Sequence, residues 1–220
     1  MPASGPIEVE VRIPPIGLEG MLALPAGAGA VVAFAHGSGS SRSSPRNQRV
    51  AAALRRLGLG TLLFDLLSED EAADRARVFD IPLLAERLLD ATRWLGAERP
   101  TRELRVGYFG ASTGAGAALV AAAQSEREIG AVVSRGGRPD LAGRFLSAVR
   151  APTLLIVGGR DPVVIDLNRA ALGELRCEKE LAIVPGATHL FEEPGTLDEV
   201  IGLAGRWFAA HLGGKQAGES

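Results

Sequence analysis

Six apolar runs of strand length, each leading into a stretch with helical spacing, constrain this chain more than any other feature. AVVAFA at Ala30–Ala35 is the clearest. Gly60–Asp65, Leu104–Phe109, Ile129–Ser134, Thr153–Val157 and Glu180–Val184 repeat the pattern. None shows the polar alternation of a half-exposed strand, so all read as strands covered on both faces. The intervening stretches predict helices over Arg46–Leu57, Pro82–Leu95, Ser112–Gln124, Leu141–Val149, Val164–Leu175 and Leu197–Leu212. Alternating strand and helix implies right-handed crossovers and a parallel sheet. Ahead of these, Ile7–Ile13 and Leu18–Leu24 flank Pro14, Pro15 and Gly17 and read as an antiparallel edge pair. The expectation is an α/β fold: one mostly parallel eight-stranded sheet with helices on both faces, a single domain over 1–212, and a disordered polar tail at 213–220.

Composition narrows the function classes. The 220 residues carry 24 basic and 26 acidic side chains, a net charge of −2, which offers nothing to nucleic acid. One cysteine, Cys177, leaves no disulfide and no thiolate cluster, and three histidines in all argue against a His-rich metal site. The opening MPASGPIEVEV has no basic start ahead of an apolar core, and no apolar run reaches the ~18 residues of a membrane helix. These features predict a cytoplasmic protein, a monomer or small homo-oligomer, with no membrane or nucleic-acid partner and no cofactor.

Chemistry concentrates where a predicted strand meets a helix of very small residues: Gly110-Ala111-Ser112-Thr113-Gly114 reads G-x-S-x-G. A serine placed on such a turn sits in a strained backbone conformation, and its neighbours must lack Cβ atoms to make room. The helix that starts there aims free N–H groups at the place where an oxyanion forms. A phosphate-binding turn is the competing reading, but the text matches neither G-x-G-x-x-G nor a GK[ST] ending. Serine needs a base. The base follows the nucleophile along such a chain, which leaves His189 and His211 and sets His36 aside; His211 falls near the end of the last predicted helix, whereas His189 lies in a loop directly after a strand, in PGATHLF. Asp161, in GGRDP after the preceding strand, is expected to orient it. Asp140 reads as a helix cap and Asp166 as a helix interior residue. One oxyanion donor is expected at Thr113. The other is expected in His36-Gly37-Ser38-Gly39-Ser40, at Ser38 with Gly37 as the near alternative, and His36 reads as a brace for that loop.

These motifs resemble the α/β-hydrolase superfamily, and within it the dienelactone-hydrolase-like group. The matching text is HGSGSSRSSPRN, FDLLSEDE, GASTGAG, SRGGRPDLAG, GGRDPVV and GATHLFEEPG, spread over about Ile7 to Leu212. Some similar small bacterial proteins are hydrolases and others accompany phosphoribosyltransferases. The resemblance implies Ser112, Asp161 and His189 as a catalytic triad and Ser38 with Thr113 as the oxyanion hole. Dienelactone hydrolase proper uses a cysteine nucleophile where this chain has serine. The expected activity is hydrolysis of a small-molecule ester, thioester or lactone through an acyl-enzyme. The alternative is a non-catalytic binding module using the same pocket.

Between Ser134 and Thr153 there is room for one helix, so the resemblance and the spacing together predict no large cap domain. Gly37, Leu66, Phe79 and Phe191 are expected to line the pocket. Arg135 and Arg138, in SRGGRP, read either as a clamp for an anionic group or as partners of Glu69–Glu71 or Glu192–Glu193, the second being favoured. The polar stretch Leu66–Ile81 reads as a solvated loop with one helical turn, or as a small flap over the site.

Overall fold

The computed structural model describes residues 5–213, so most of the tail expected at 213–220 lies outside the described residues. Eight strands form one sheet in the order β1-β2-β4-β3-β5-β6-β7-β8. These are β1 (Ile7–Ile13), β2 (Leu18–Leu24), β3 (Ala30–Ala35), β4 (Gly60–Phe64), β5 (Arg105–Ala111), β6 (Ile129–Arg135), β7 (Thr153–Gly158) and β8 (Lys179–Val184). The first two pair antiparallel, β2 runs antiparallel to β4, and every later pairing is parallel. The central strands β3, β4, β6 and β7 are buried along their whole length, whereas β1 exposes Glu8, Glu10 and Arg12. Charges on that edge discourage pairing with another chain.

Helices cover both faces. On one side α4 (Ile81–Ala97) and α5 (Thr113–Gln124) lie over Val31, Leu62, Tyr108 and Val132. On the other, α1 (Pro45–Arg56) and α7 (Thr196–Leu212) cover Val32, Phe34, Phe109, Val133 and Ile156. Successive strand residues therefore alternate between two separate cores. α5 replaces an amphipathic stripe with Gly114, Ala115, Gly116, Ala117 and Ala118, all buried, which lets its backbone lie close to the sheet. α4 starts where Asp80 accepts from the Leu83 amide at 3.0 Å ahead of Pro82. Its face buries Leu88 and Leu95 completely, about 1.5–3 kcal/mol each. On the same face Tyr108, inside β5, satisfies its hydroxyl on Thr92 at 2.6 Å.

Three segments depart from expectation. β8, read as covered on both faces, is the other edge of the sheet and exposes Lys179, Glu180 and Ile183. The helix predicted near Leu141–Val149 is a 3₁₀ segment over Pro139–Ala148, because Gly143 sits at φ 49° and breaks it. Asp140 lies in its first turn rather than at its cap, and its carboxylate goes to Arg138 instead. The polar stretch after β4 forms two helical turns, α2 (Glu69–Ala72) and α3 (Arg75–Val78). Ser68 and Glu71 form a reciprocal capping box on α2, and Asp74 caps α3. α6 (Pro162–Glu174) fills the last crossover, and no helix among the described residues is long and apolar enough to cross a membrane.

Candidate active site

β5 delivers Ser112 to the carboxyl edge of the sheet at φ 50°, ψ −122°, a region that residues with a Cβ rarely occupy. The turn is held by its surroundings: the Ser112 amide donates to the Arg135 carbonyl at 3.3 Å, and the Ser112 carbonyl accepts from Arg138 at 3.0 Å and Ala115 at 3.1 Å. Both flanking glycines are sterically required. A Cβ on Gly110 would meet the Ala115 Cα at 2.5 Å, and one on Gly114 would lie 2.2 Å from the Ala35 carbonyl oxygen. The G-x-S-x-G spacing is thus set by close approach of α5 to β3 and β5.

His189 and Asp161 come from adjacent loops after β8 and β7. Those loops are stitched together: Gly159 N–H donates to the Val184 carbonyl and Arg160 N–H to the Ala187 carbonyl, each at 2.8 Å. Asp161 takes the N-cap position of α6 yet forms no capping bond. Its Oδ2 instead accepts from His189 Nδ1 at 2.7 Å, with the imidazole 39% and the carboxylate 17% exposed. This bond leaves Nε2 as the ring's free basic nitrogen. The ring lies over Gly136, whose Cβ would stand 3.7 Å from His189 Cε1, while the preceding Arg135 carbonyl holds Ser112. Hydroxyl and imidazole therefore share one rim. In the resting protein the His189 ring bonds Asp161 and not Ser112, a contact that hydrolytic sites commonly tighten only when substrate arrives. The other histidines do different work. His36 is half-buried, accepts from the Leu66 amide through Nε2 at 3.0 Å and contacts the Gly37 carbonyl through Nδ1 at 3.0 Å. Burial holds its pKa below the ordinary histidine value, so it stays a neutral brace. The His211 ring packs at a tilt against Trp207, with ring centroids 4.4 Å apart.

The loop after β3 lies against the turn, where a Cβ on Gly37 would sit 3.0 Å from the Ser112 Cβ. The Ser38 amide donates to Thr113 Oγ1 at 2.9 Å, so in the resting protein this donor is already engaged. Arg42 anchors the far end of the loop: its amide donates to Asp65 at 2.7 Å and its guanidinium to Asp65 and Glu19. Beyond the loop opens a cavity of about 900 Å³, lined by residues 16–19, 36–42, Leu67, Ser68, Val78, Phe79 and Leu84 among others. Segment 66–81 walls it and Phe79 is half exposed there.

Of the expected lining residues, Gly37 and Phe79 face this cavity. Leu66 does not: it is fully buried in the core beneath. Phe191 is 2% exposed and packs into the layer under α1 and α7, with φ 56° turning the chain back. The favoured pairing of Arg135 and Arg138 with the acidic loops is also overturned. Arg138 forks onto Asp140, with bonds of 2.8 and 2.7 Å, and Arg135 is buried with no ion pair among the described residues. Missed altogether were Ile16–Glu19, because only the antiparallel β2–β4 pairing brings that turn to the carboxyl edge.

A serine on a strained strand-to-helix turn at the carboxyl edge of this sheet order defines the α/β-hydrolase class. No protein-family model matches the chain. The crystal structure of a dienelactone hydrolase from Anabaena variabilis superimposes with a TM-score of 0.90 at 55% identity, covering 95% of this chain and 100% of that one. An α/β serine hydrolase without a lid, from Xanthomonas campestris, gives a TM-score of 0.73 at 25% identity, covering 96% and 97%. A Mycobacterium tuberculosis protein with the provisional name phosphoribosyl transferase is 58% identical over 207 residues, 94% of this chain but 47% of the relative. The chain therefore spans about half the length of the curated relatives it matches. On the Anabaena match, the chain belongs to the dienelactone-hydrolase-like branch of the α/β-hydrolase superfamily.

Proposed function

We propose that the protein is a serine hydrolase that cleaves a small ester, thioester or lactone through an acyl-enzyme at Ser112. The reading rests above all on one observation: Ser112 is held at φ 50° on the same rim as the His189–Asp161 hydrogen bond. Such strain persists only where the surroundings over-determine it. In the reaction, His189 Nε2 takes the Ser112 proton as Oγ attacks the carbonyl carbon. Asp161 fixes the tautomer and stabilises the imidazolium that results. The Thr113 amide, at the start of α5, meets the developing oxyanion. The Ser38 amide joins it once the Thr113 hydroxyl releases that donor. The imidazolium then protonates the departing alcohol or thiol, and water, activated by the same imidazole, releases the acid.

Substrate size follows from the cavity. Its wall combines Leu18, Leu67, Val78, Phe79 and Leu84 with the hydroxyls of Ser38, Ser40 and Ser41. An apolar arm of a few carbons fits against the first set, with polar atoms turned to the second. Hydrolysis of p-nitrophenyl acetate, butyrate and hexanoate tests the proposal. The wild type should exceed Ser112→Ala in kcat/KM by at least about 10³-fold on one of them. Equal rates for the two proteins on every ester and on thioester and lactone analogues would overturn it. The length of the Mycobacterium relative favours a second reading, in which this fold serves as a binding module beside another domain. In that case the esters would bind without turnover.

A further inference from the structure

Arg135 is 7% exposed, and its Nε and Nη1 are buried without any hydrogen-bond partner. No ion pair among the described residues uses it, whereas Arg87 pairs with Glu71 at 2.9 Å and Arg138 with Asp140 at 2.7 Å. Alternation along β6 sets Arg135 on the face of Val133, and its register partner is Ile156, both in the layer covered by α1 and α7. A second unsatisfied guanidinium nitrogen lies in α1: Arg46 Nε is buried without a partner. Arg46 Nη1 reaches only the exposed Glu192, at 3.1 Å, and the first turn of α1 holds no acidic residue. Burial, with a smaller contribution from the charge of Arg46, pushes the Arg135 guanidinium down to about 10. Two cations that repel each other, one enclosed and unpaired, are costly to bury unless an anion joins them.

We propose that Arg135, with Arg46, binds an oxyanion, the carboxylate or phosphoryl group of a small molecule, at the carboxyl edge of the sheet beside Ser112. The planar fork of arginine offers two parallel N–H donors to such a group. The backbone of Arg135 is already part of the candidate active site, since its carbonyl holds the Ser112 amide at 3.3 Å. The oxyanion has two sources: the acidic arm of an ester substrate, which rests on the hydrolase reading above, or a free anion, which does not.

Thermal unfolding in sodium phosphate, at ionic strength held constant with sodium chloride, tests the site. Wild-type protein should show a saturable rise in Tm, about 5–10 °C at a concentration about 100 times Kd. Arg135→Met should fold at least as stably without phosphate, because it removes an unpaired buried charge, yet need about 10-fold more phosphate or more for the same rise. Arg46→Met should weaken the response in the same direction and serves as the test variant if Arg135→Met does not fold. The source is separated on Ser112→Ala protein with mono-p-nitrophenyl glutarate and p-nitrophenyl pentanoate. Preferential stabilisation by the hemiester, competing with phosphate, assigns the site to the substrate's arm. A response to phosphate alone assigns it to a free anion. No saturable response to either anion, or a response unchanged in the arginine variant, overturns the proposal. Failure of the hydrolase reading would appear separately, as absence of ester turnover with the phosphate response intact.

Discussion

Replacing Ser112 by glycine and, separately, by alanine measures the strain that the nucleophile turn stores. Both variants lose the hydroxyl, so their difference isolates the Cβ. At an ordinary site glycine is the less stable of the two by roughly 0.5–1 kcal/mol, because its unfolded chain is freer. Here φ is 50° and ψ −122°, a conformation that alanine would have to adopt with its Cβ intact. Relief of such strain is worth about 1–3 kcal/mol. Subtracting the glycine entropy leaves Ser112→Gly more stable than Ser112→Ala by up to about 2.5 kcal/mol. For a domain of this size that is a Tm difference of up to roughly 10 °C. Scanning calorimetry on the purified variants, backed by urea unfolding, reads it directly. If alanine is the more stable by about 0.5 kcal/mol, as at an unstrained site, the turn stores no energy and the reasoning fails.

Asp161→Asn should leave the fold intact but cut kcat/KM by about 10³–10⁴, since an amide cannot hold the imidazole in the required tautomer; a loss under 10-fold would detach Asp161 from the reaction. Gly114→Ala should cost about 3 kcal/mol or more, because the new Cβ would stand 2.2 Å from the Ala35 carbonyl oxygen, and urea denaturation checks it. His36 titrates in the opposite sense to a histidine that gains a charged partner. Burial lowers its pKa in the folded state, so the unfolded chain binds the proton more tightly. Its stabilising contribution is complete above the ordinary value of 6.5 and is lost as pH falls from there through the lowered folded value. Unfolding free energy measured between pH 5 and pH 7 should therefore fall less toward acid in His36→Gln than in the wild type, and equal slopes would refute the assignment.

The sheet was legible because strands buried on two faces are written mainly in unbroken apolar residues, as Ala30–Ala35 and residues 129–133 of β6 are. The strand-to-helix turn was legible for a similar reason: close packing of α5 permits only glycine at Gly110 and Gly114. Pocket walls were harder. Leu66 and Phe191 both stand beside candidate site residues in sequence, but one step along an extended chain turns a side chain from rim to core, and both are buried. The two turns α2 and α3 carried readable signs in Ser68-x-x-Glu71 and Asp74, yet a four-residue helix has too little periodicity to announce itself. The solitary state of Arg135 is a property of packing. Glu71 and Glu192, among the carboxylates expected to pair with it, and the nearby Asp140 are held by Arg46, Arg77, Arg87 and Arg138 instead.

Intact-protein and peptide mass spectrometry after treatment with a fluorophosphonate puts the proposed nucleophile to the most direct test. The account predicts a single adduct on Ser112 in folded protein, no adduct in Ser112→Ala, and much slower labelling in His189→Gln. Folded wild-type protein that stays unlabelled at Ser112, or labels equally fast without His189, would contradict it.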